Sequence, residues 1–327
     1  MTRTNSTLAA MMRPVPAAAA DAVNYADFTF RAEVDWVEIY VRTEKPTNYW
    51  TVISLVGEKY AKPLDKDAGG AATRFMIKFQ DPQSWQAVQD KIDALAVDHV
   101  LIEGPEVAAI EISFDAYSKF EFRDDLVAMA GRFYKYSQLI GHENRRMATQ
   151  GESDGLMTHQ YNLQRLANGY SAYAGDQETT KNGPPSPQAL RVYVKEVDSG
   201  KPLPLSAHRA RTERTFHMNE LQRRPLSWWK RHDFTSDAHY FKFRKLKPVL
   251  PACVRVAVEA CSQIGESCNF KRSEGGGVRR YRKSTVTDVQ LNRLAYEALR
   301  NLTNRMQHVN NIAKKRSVAK IAGVKVM

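Results

Sequence analysis

Leu190-Arg191-Val192-Tyr193-Val194-Lys195-Glu196 alternates apolar and polar residues, which is the pattern of a β-strand with two unlike faces. Val192 and Val194 are expected to enter a core, and Arg191, Tyr193 and Lys195 to stand together on the opposite face. A phenol between two cations is a candidate nucleophile, because positive charge favours the phenolate and attracts a phosphate. The competing reading is that an aromatic residue simply fits a pleated, half-buried surface.

Two further stretches carry acids in the same alternation. In Ala109-Ile110-Glu111-Ile112-Ser113-Phe114-Asp115, the residues Ile110, Ile112 and Phe114 point one way while Glu111, Ser113 and Asp115 point the other. In Arg209-Ala210-Arg211-Thr212-Glu213-Arg214-Thr215, the residues Arg209, Arg211, Glu213 and Thr215 share a face. If these strands neighbour the Tyr193 strand, Glu111, Asp115 and Glu213 meet beside a tyrosine. Oxygen ligands of this kind suit Mg²⁺ or Mn²⁺. Each acid taken alone reads equally as a solvated strand residue.

Around these stretches the chain alternates strands and helices. Strands are expected at Val34 to Val41, Trp50 to Val56, Thr73 to Phe79, Val107 to Phe114 and Asn168 to Gly175. Asp81-Pro82 is expected to open a helix with Trp85, Val88, Ile92 and Leu95 as its apolar stripe, and a second helix to run from Arg123 to Leu139. Gly141 to Thr158 reads as a polar loop and Val249 to Ile264 as a helix. Thr287 and Gln290 have capping-box spacing for a last helix with Leu291, Leu294, Ala298, Leu299, Leu302 and Met306 on its apolar side. The expected fold is α+β, a mostly antiparallel sheet with helices on one face and a basic helical C-terminal region. The expected division is a mobile arm over 1–28, a catalytic unit over 29–225 and a basic region over 226–327 that binds DNA.

Charge is distributed unevenly along the 327 residues. From Lys271 onward the chain has 14 of its 48 Lys/Arg but three of its 36 Asp/Glu, a net of +11, which leaves the first 270 residues at +1. Such a block points to nucleic acid or another anionic surface, or else to a solvated tail. Between Trp228 and Lys247, Trp228, Trp229, Phe234, Tyr240, Phe241 and Phe243 are interleaved with cations, which suits base stacking beside phosphate contacts or an aromatic anchor at a domain boundary. Lys242, Arg244 and Lys245, and the dense cluster Arg279, Arg280, Arg282 and Lys283, are the candidate DNA contacts.

Other chemistries find no foothold. The eight histidines form neither H-x-H nor H-E-x-x-H, and no G-x-x-x-x-G-K-[ST] is present. Cys253, Cys261 and Cys268 include no C-x-x-C pair, so neither disulfides nor zinc are indicated and a reducing cytoplasm is the expected location. No apolar run reaches the roughly 18 residues of a membrane span. Arg13, Pro14 and Pro16 interrupt the early apolar residues, against a signal peptide.

In this order the motifs resemble the replication initiation factor family, the rolling-circle initiators of plasmids and filamentous phages and related relaxases. The matching pieces are Val34-Asp35-Trp36, the acidic stretch Ala109 to Asp115, Tyr173-Ala174-Gly175 leading into Arg191-Val192-Tyr193-Val194-Lys195, and Arg211-Thr212-Glu213. Glu111 stands where the family usually has Asp. The resemblance implies a site-specific endonuclease that nicks one strand at an origin. Tyr193 would become joined to the 5′ phosphate, Arg191 and Lys195 would support the phenolate or bind phosphate, and Glu111, Asp115 and Glu213 would hold Mg²⁺ or Mn²⁺. Origin DNA is the implied partner, with a host helicase and a second copy of the chain as further candidates and no membrane. The alternatives are a non-catalytic DNA-binding protein, such as a repressor or partitioning factor, and an interaction protein whose basic tail meets RNA or an acidic partner.

Overall fold

The computed structural model describes residues 20–138, 145–149, 152–153, 163–174, 188–198, 200–246 and 285–307. A long first strand, β1 (Phe28–Asn48), leads into helix α1 (Tyr49–Val56), strands β2 (Tyr60–Pro63) and β3 (Ala71–Gln80), helix α2 (Trp85–Asp98) and strand β4 (Glu106–Ser118). Helix α3 (Arg123–Tyr136) follows, then β5 (Arg145–Thr149), β6 (Glu152–Ser153), the short helix α4 (Leu163–Ala167), β7 (Ser171–Ala174) and β8 (Gln188–Lys195). A small hairpin of β9 (Val197–Asp198) and β10 (Lys201–Pro202) precedes β11 (Arg209–His217). The chain closes with β12 (Arg224–Pro225), α5 (Leu226–Trp229), β13 (Arg244–Leu246), β14 (Thr285–Thr287) and α6 (Val289–Gln307).

The main sheet runs in the order β2-β3-β1-β4-β11-β8-β7-β5-β6, with β12 pairing β4, and the registers are antiparallel. The fold is therefore α+β. Among the described residues no helix is long and apolar enough to cross a membrane.

The chain divides into two compact units, each assembled from separate stretches: 1–33, 111–217 and 235–299 form the first, and 34–110, 218–234 and 300–327 the second. This differs from the division expected at 225. It follows from strands β1 and β4, each of which runs through both units. Of the arm expected over 1–28, Ala20, Tyr25 and Phe28 are buried, and residues 1–19 lie outside the described residues. Within the first unit the Tyr25 hydroxyl donates to Asp288 Oδ2 at 2.5 Å, and Arg132 Nη2 meets the same oxygen at 2.7 Å.

In the second unit, β3 alternates strictly, sending Phe75, Ile77 and Phe79 into the core beneath α1 and α2. Helix α2 buries Trp85, Val88, Ile92 and Leu95, the stripe its spacing requires. Its cap is Ser84, whose Oγ accepts from Ala87 N at 3.1 Å, and not Asp81. In the first unit, α3 packs against β8 and β11, and Phe114, Phe133 and Phe243 fill the core. Helix α6 is capped by Asp288, whose Oδ1 accepts from Leu291 N at 3.1 Å, one residue past the expected Thr287.

Two stretches differ in kind from their expected structure. Trp50 to Val56, expected as a strand because of Val52 and Ile53, is helix α1. Local caps outweigh the β-branched residues: Asn48 Oδ1 accepts from Trp50 N, and Gly57 ends the helix at φ 68° with its N–H donating to Ile53 O. A methyl group at Gly57 meets nothing within 4 Å. Gly57→Ala is therefore expected to cost about 1–2 kcal/mol, from left-handed backbone alone, read as a lowered denaturation midpoint at constant slope. Gly141 to Thr158, expected as a loop, contains β5 and β6. Arg145 to Ala148 pair with β7, so polar residues form a strand here because a neighbouring edge is available. The helix expected at Val249 to Ile264 lies outside the described residues.

Candidate functional site

Strand β8 is paired on both sides, by β7 and β11, so its backbone is held rigidly. Its inward residues Val192 and Val194 are buried as expected. On the other face, register sets Arg211 opposite Tyr193, Glu213 opposite Arg191 and Arg209 opposite Lys195. Directly opposed residues share a face, so strand pairing alone assembles the cluster.

The Tyr193 hydroxyl donates to Glu213 Oε1 at 2.6 Å. The Arg191 guanidinium lies 4.2 Å from the centre of the Tyr193 ring, and its Nη1 is 3.8 Å from Glu213 Oε2. Burial pushes the Tyr193 phenol well above its usual range, and the Glu213 charge adds to this, against the opposing pull of Arg211 and Arg191. This corrects the expectation that flanking cations favour the phenolate: in this arrangement a carboxylate, not a lysine, is the hydroxyl's partner. Lys195 Nζ instead sits 3.1 Å from Asp198 Oδ1.

The acids divide into two groups. Thr215 Oγ1 donates to Glu111 Oε2 at 2.6 Å, and single oxygens of Glu111 and Glu213 lie within 4.8 Å of each other. Asp115 is elsewhere. It is fully buried and gripped at both oxygens by Arg211, whose Nε and Nη2 each lie 2.6 Å away, with Arg209 Nε at 3.2 Å. Of the expected set of Glu111, Asp115 and Glu213, the first and last are together, and Asp115 lies apart, engaged by Arg211 and Arg209. The reason is elementary. Four residues along an extended strand span about 13 Å, so Glu111 and Asp115 point the same way without reaching one cation.

No family model and no curated protein sequence matches this chain.

The donor set itself fits a hard cation. Glu111 and Glu213 are both carboxylates, and an octahedral ion with bonds of about 2.1 Å requires ligand oxygens about 3–4.2 Å apart, within reach of small side-chain rotations.

The expected DNA contacts stand differently. Lys242 is exposed, and Arg244 and Lys245 are half-buried on β13, which pairs with β14. Arg279, Arg280, Arg282 and Lys283 lie outside the described residues. The neighbouring aromatics are mostly core. Trp229 and Phe234 pack with Trp85 in the second unit, and Phe241 and Phe243 are buried in the first. Stacking on bases is therefore not open to those four rings. The sequence also spells G-x-S-x-G at 151–155, but Ser153 pairs with Ala148 in an antiparallel strand, not at the strand-to-helix turn that presents a serine nucleophile.

Proposed function

We propose that this protein is a rolling-circle replication initiator, a metal-dependent DNA nicking and strand-transfer enzyme with Tyr193 as nucleophile. One observation carries the reading: the Tyr193 hydroxyl is hydrogen-bonded to Glu213, which lies beside Glu111 in an acidic pair suited to Mg²⁺ or Mn²⁺. The resemblance to replication initiation factors agrees with it.

In the proposed reaction Glu213 takes the Tyr193 proton and the phenolate oxygen attacks phosphorus. The new O–P bond forms as the P–O3′ bond breaks, and the departing 3′ oxygen is protonated from solvent. The products are a 5′-phosphotyrosine and a free 3′ hydroxyl. Glu111 and Glu213 are the proposed cation ligands, and the ion would neutralise charge building on the phosphate. Arg191, held against Tyr193 and Glu213, orients the phenol and offers a cation to the scissile phosphate. Lys242, Arg244, Lys245, Arg279, Arg280, Arg282 and Lys283 are the proposed duplex contacts, acting through phosphates and hence weakened by salt. Origin DNA is the proposed partner and the cytoplasm the proposed location.

The test is Tyr193→Phe, incubated with Mn²⁺ and supercoiled DNA of the replicon that encodes the chain. The wild type is expected to relax the circle and leave protein covalently on DNA, and the variant to bind without doing either. Equal nicking by both proteins removes Tyr193 from the chemistry. Binding without nicking by the wild type favours the repressor or partitioning reading.

A further inference from the structure

The second unit carries a separate charged face whose layout is not used by the chemistry above. On the side of β1, β2 and β3 away from α1 and α2, register aligns Tyr60, Lys78 and Glu38 in one row and Lys62, Met76 and Tyr40 in the next. Arg42 and Arg74 are directly opposite each other in a third. Like charges directly opposite across strands are unfavourable on their own. Here each has a single acid partner at the margin, Glu103 at 3.3 Å from Arg42 and Asp65 at 3.3 Å from Arg74. A third guanidinium, that of Arg223, lies 4.7 Å from the centre of the Tyr40 ring. The Nε atoms of both Arg42 and Arg223 are buried without a hydrogen-bond partner among the described residues. Three guanidinium groups around one phenol, two with an unused donor, form a cradle for an anion.

Aromatic surface lies beside it. Tyr60 is 49 % exposed, and Trp36 is half-buried under the Lys78 ammonium at 3.7 Å. The face therefore offers cations Arg42, Lys62, Arg74, Lys78 and Arg223 against acids Glu38, Asp65 and Glu103, interleaved with rings. An open sheet with alternating rings and cations complements a polymer of alternating bases and phosphates whose bases are unpaired. We infer that this face is a binding track for single-stranded DNA, with Arg42, Arg74 and Arg223 holding a backbone phosphate and Tyr60 stacking on a base. The choice of DNA over RNA rests on the nicking proposal. The binding chemistry does not.

The test is fluorescence anisotropy of the full chain with a labelled 20-nucleotide single strand in EDTA, where no cation-dependent cleavage interferes. An R42Q/R74Q/R223Q protein is expected to bind at least ten-fold more weakly, with the slope of log affinity against log salt smaller by about 2. Tyr60→Ala is expected to bind about five-fold or more weakly with the slope unchanged. Lys62→Glu alters an exposed side chain, and is expected to weaken binding several-fold even if the triple variant fails to fold. Wild-type affinity in both Tyr60→Ala and Lys62→Glu overturns the inference, as does equal competition by duplex DNA or by RNA. Tyr193 adduct formation is scored separately on the wild type with Mn²⁺. Weakened binding in the variants without any wild-type adduct keeps this track and removes the nicking reading. An adduct together with unchanged binding in the variants does the reverse.

Discussion

An Arg211→Met protein is expected to lose about 3–5 kcal/mol of folding free energy. Arg211 is completely buried and makes two 2.6 Å contacts to Asp115, itself completely buried, while also lying 3.4 Å from Glu33 Oε2 and 3.5 Å from Glu213 Oε1. The pair as a whole need not stabilise the fold much, because desolvating both ions offsets their attraction. Removing one partner is a different matter, since a carboxylate is then left in the interior with only Arg209 near it. Arg209 should bring the loss toward the lower end of that range. The companion variant Arg211→Met/Asp115→Leu is expected to recover part of the loss, because the stranded carboxylate is gone, while Arg209 loses its contact to Asp115. Urea denaturation followed by tryptophan fluorescence measures both. A single variant within about 1 kcal/mol of wild type, with no recovery in the double, would show that the pair is not the buried clamp described.

The sequence carried the strands that matter, for a physical reason. Wherever one face is buried and the other is not, alternation is forced, as in β3 and β8, whereas β4 and β11 are buried on both faces and were legible only by which residue types alternate along them. The same signal placed Tyr193, Arg191, Glu111 and Glu213 on one face. It could not place Asp115 correctly, because side-chain direction repeats every two residues while a cation tests distance. It misassigned Trp50 to Val56 because β-branched residues spoke for a strand, whereas the deciding groups, Asn48 and Gly57, flank the segment. The rings between Trp228 and Phe243 were legible as aromatic but not as inside or outside. Burial depends on partners such as Trp85 and Phe133, about a hundred residues away in sequence or more.

For Glu213→Gln, the rate of covalent adduct formation is expected to fall about 100-fold or more with DNA affinity unchanged. Glutamine keeps the size of glutamate and an oxygen able to accept from the Tyr193 hydroxyl, so the 2.6 Å contact and the position of the ring should survive. What disappears is the capacity to take the proton, and one of the two negative charges facing the proposed cation. Mn²⁺ affinity, measured by electron paramagnetic resonance, should drop in the same variant. Asp115→Asn provides the contrast. Its carboxylate is occupied by Arg211 and Arg209, so the substitution should lower the unfolding midpoint while Mn²⁺ affinity at a temperature where the protein is folded stays near wild type. The two variants thus separate an acid that would work at the phosphate from one that holds the strands. Wild-type adduct rates in Glu213→Gln would remove the proposed base. Lost Mn²⁺ binding in a folded Asp115→Asn protein would restore Asp115 to the cation.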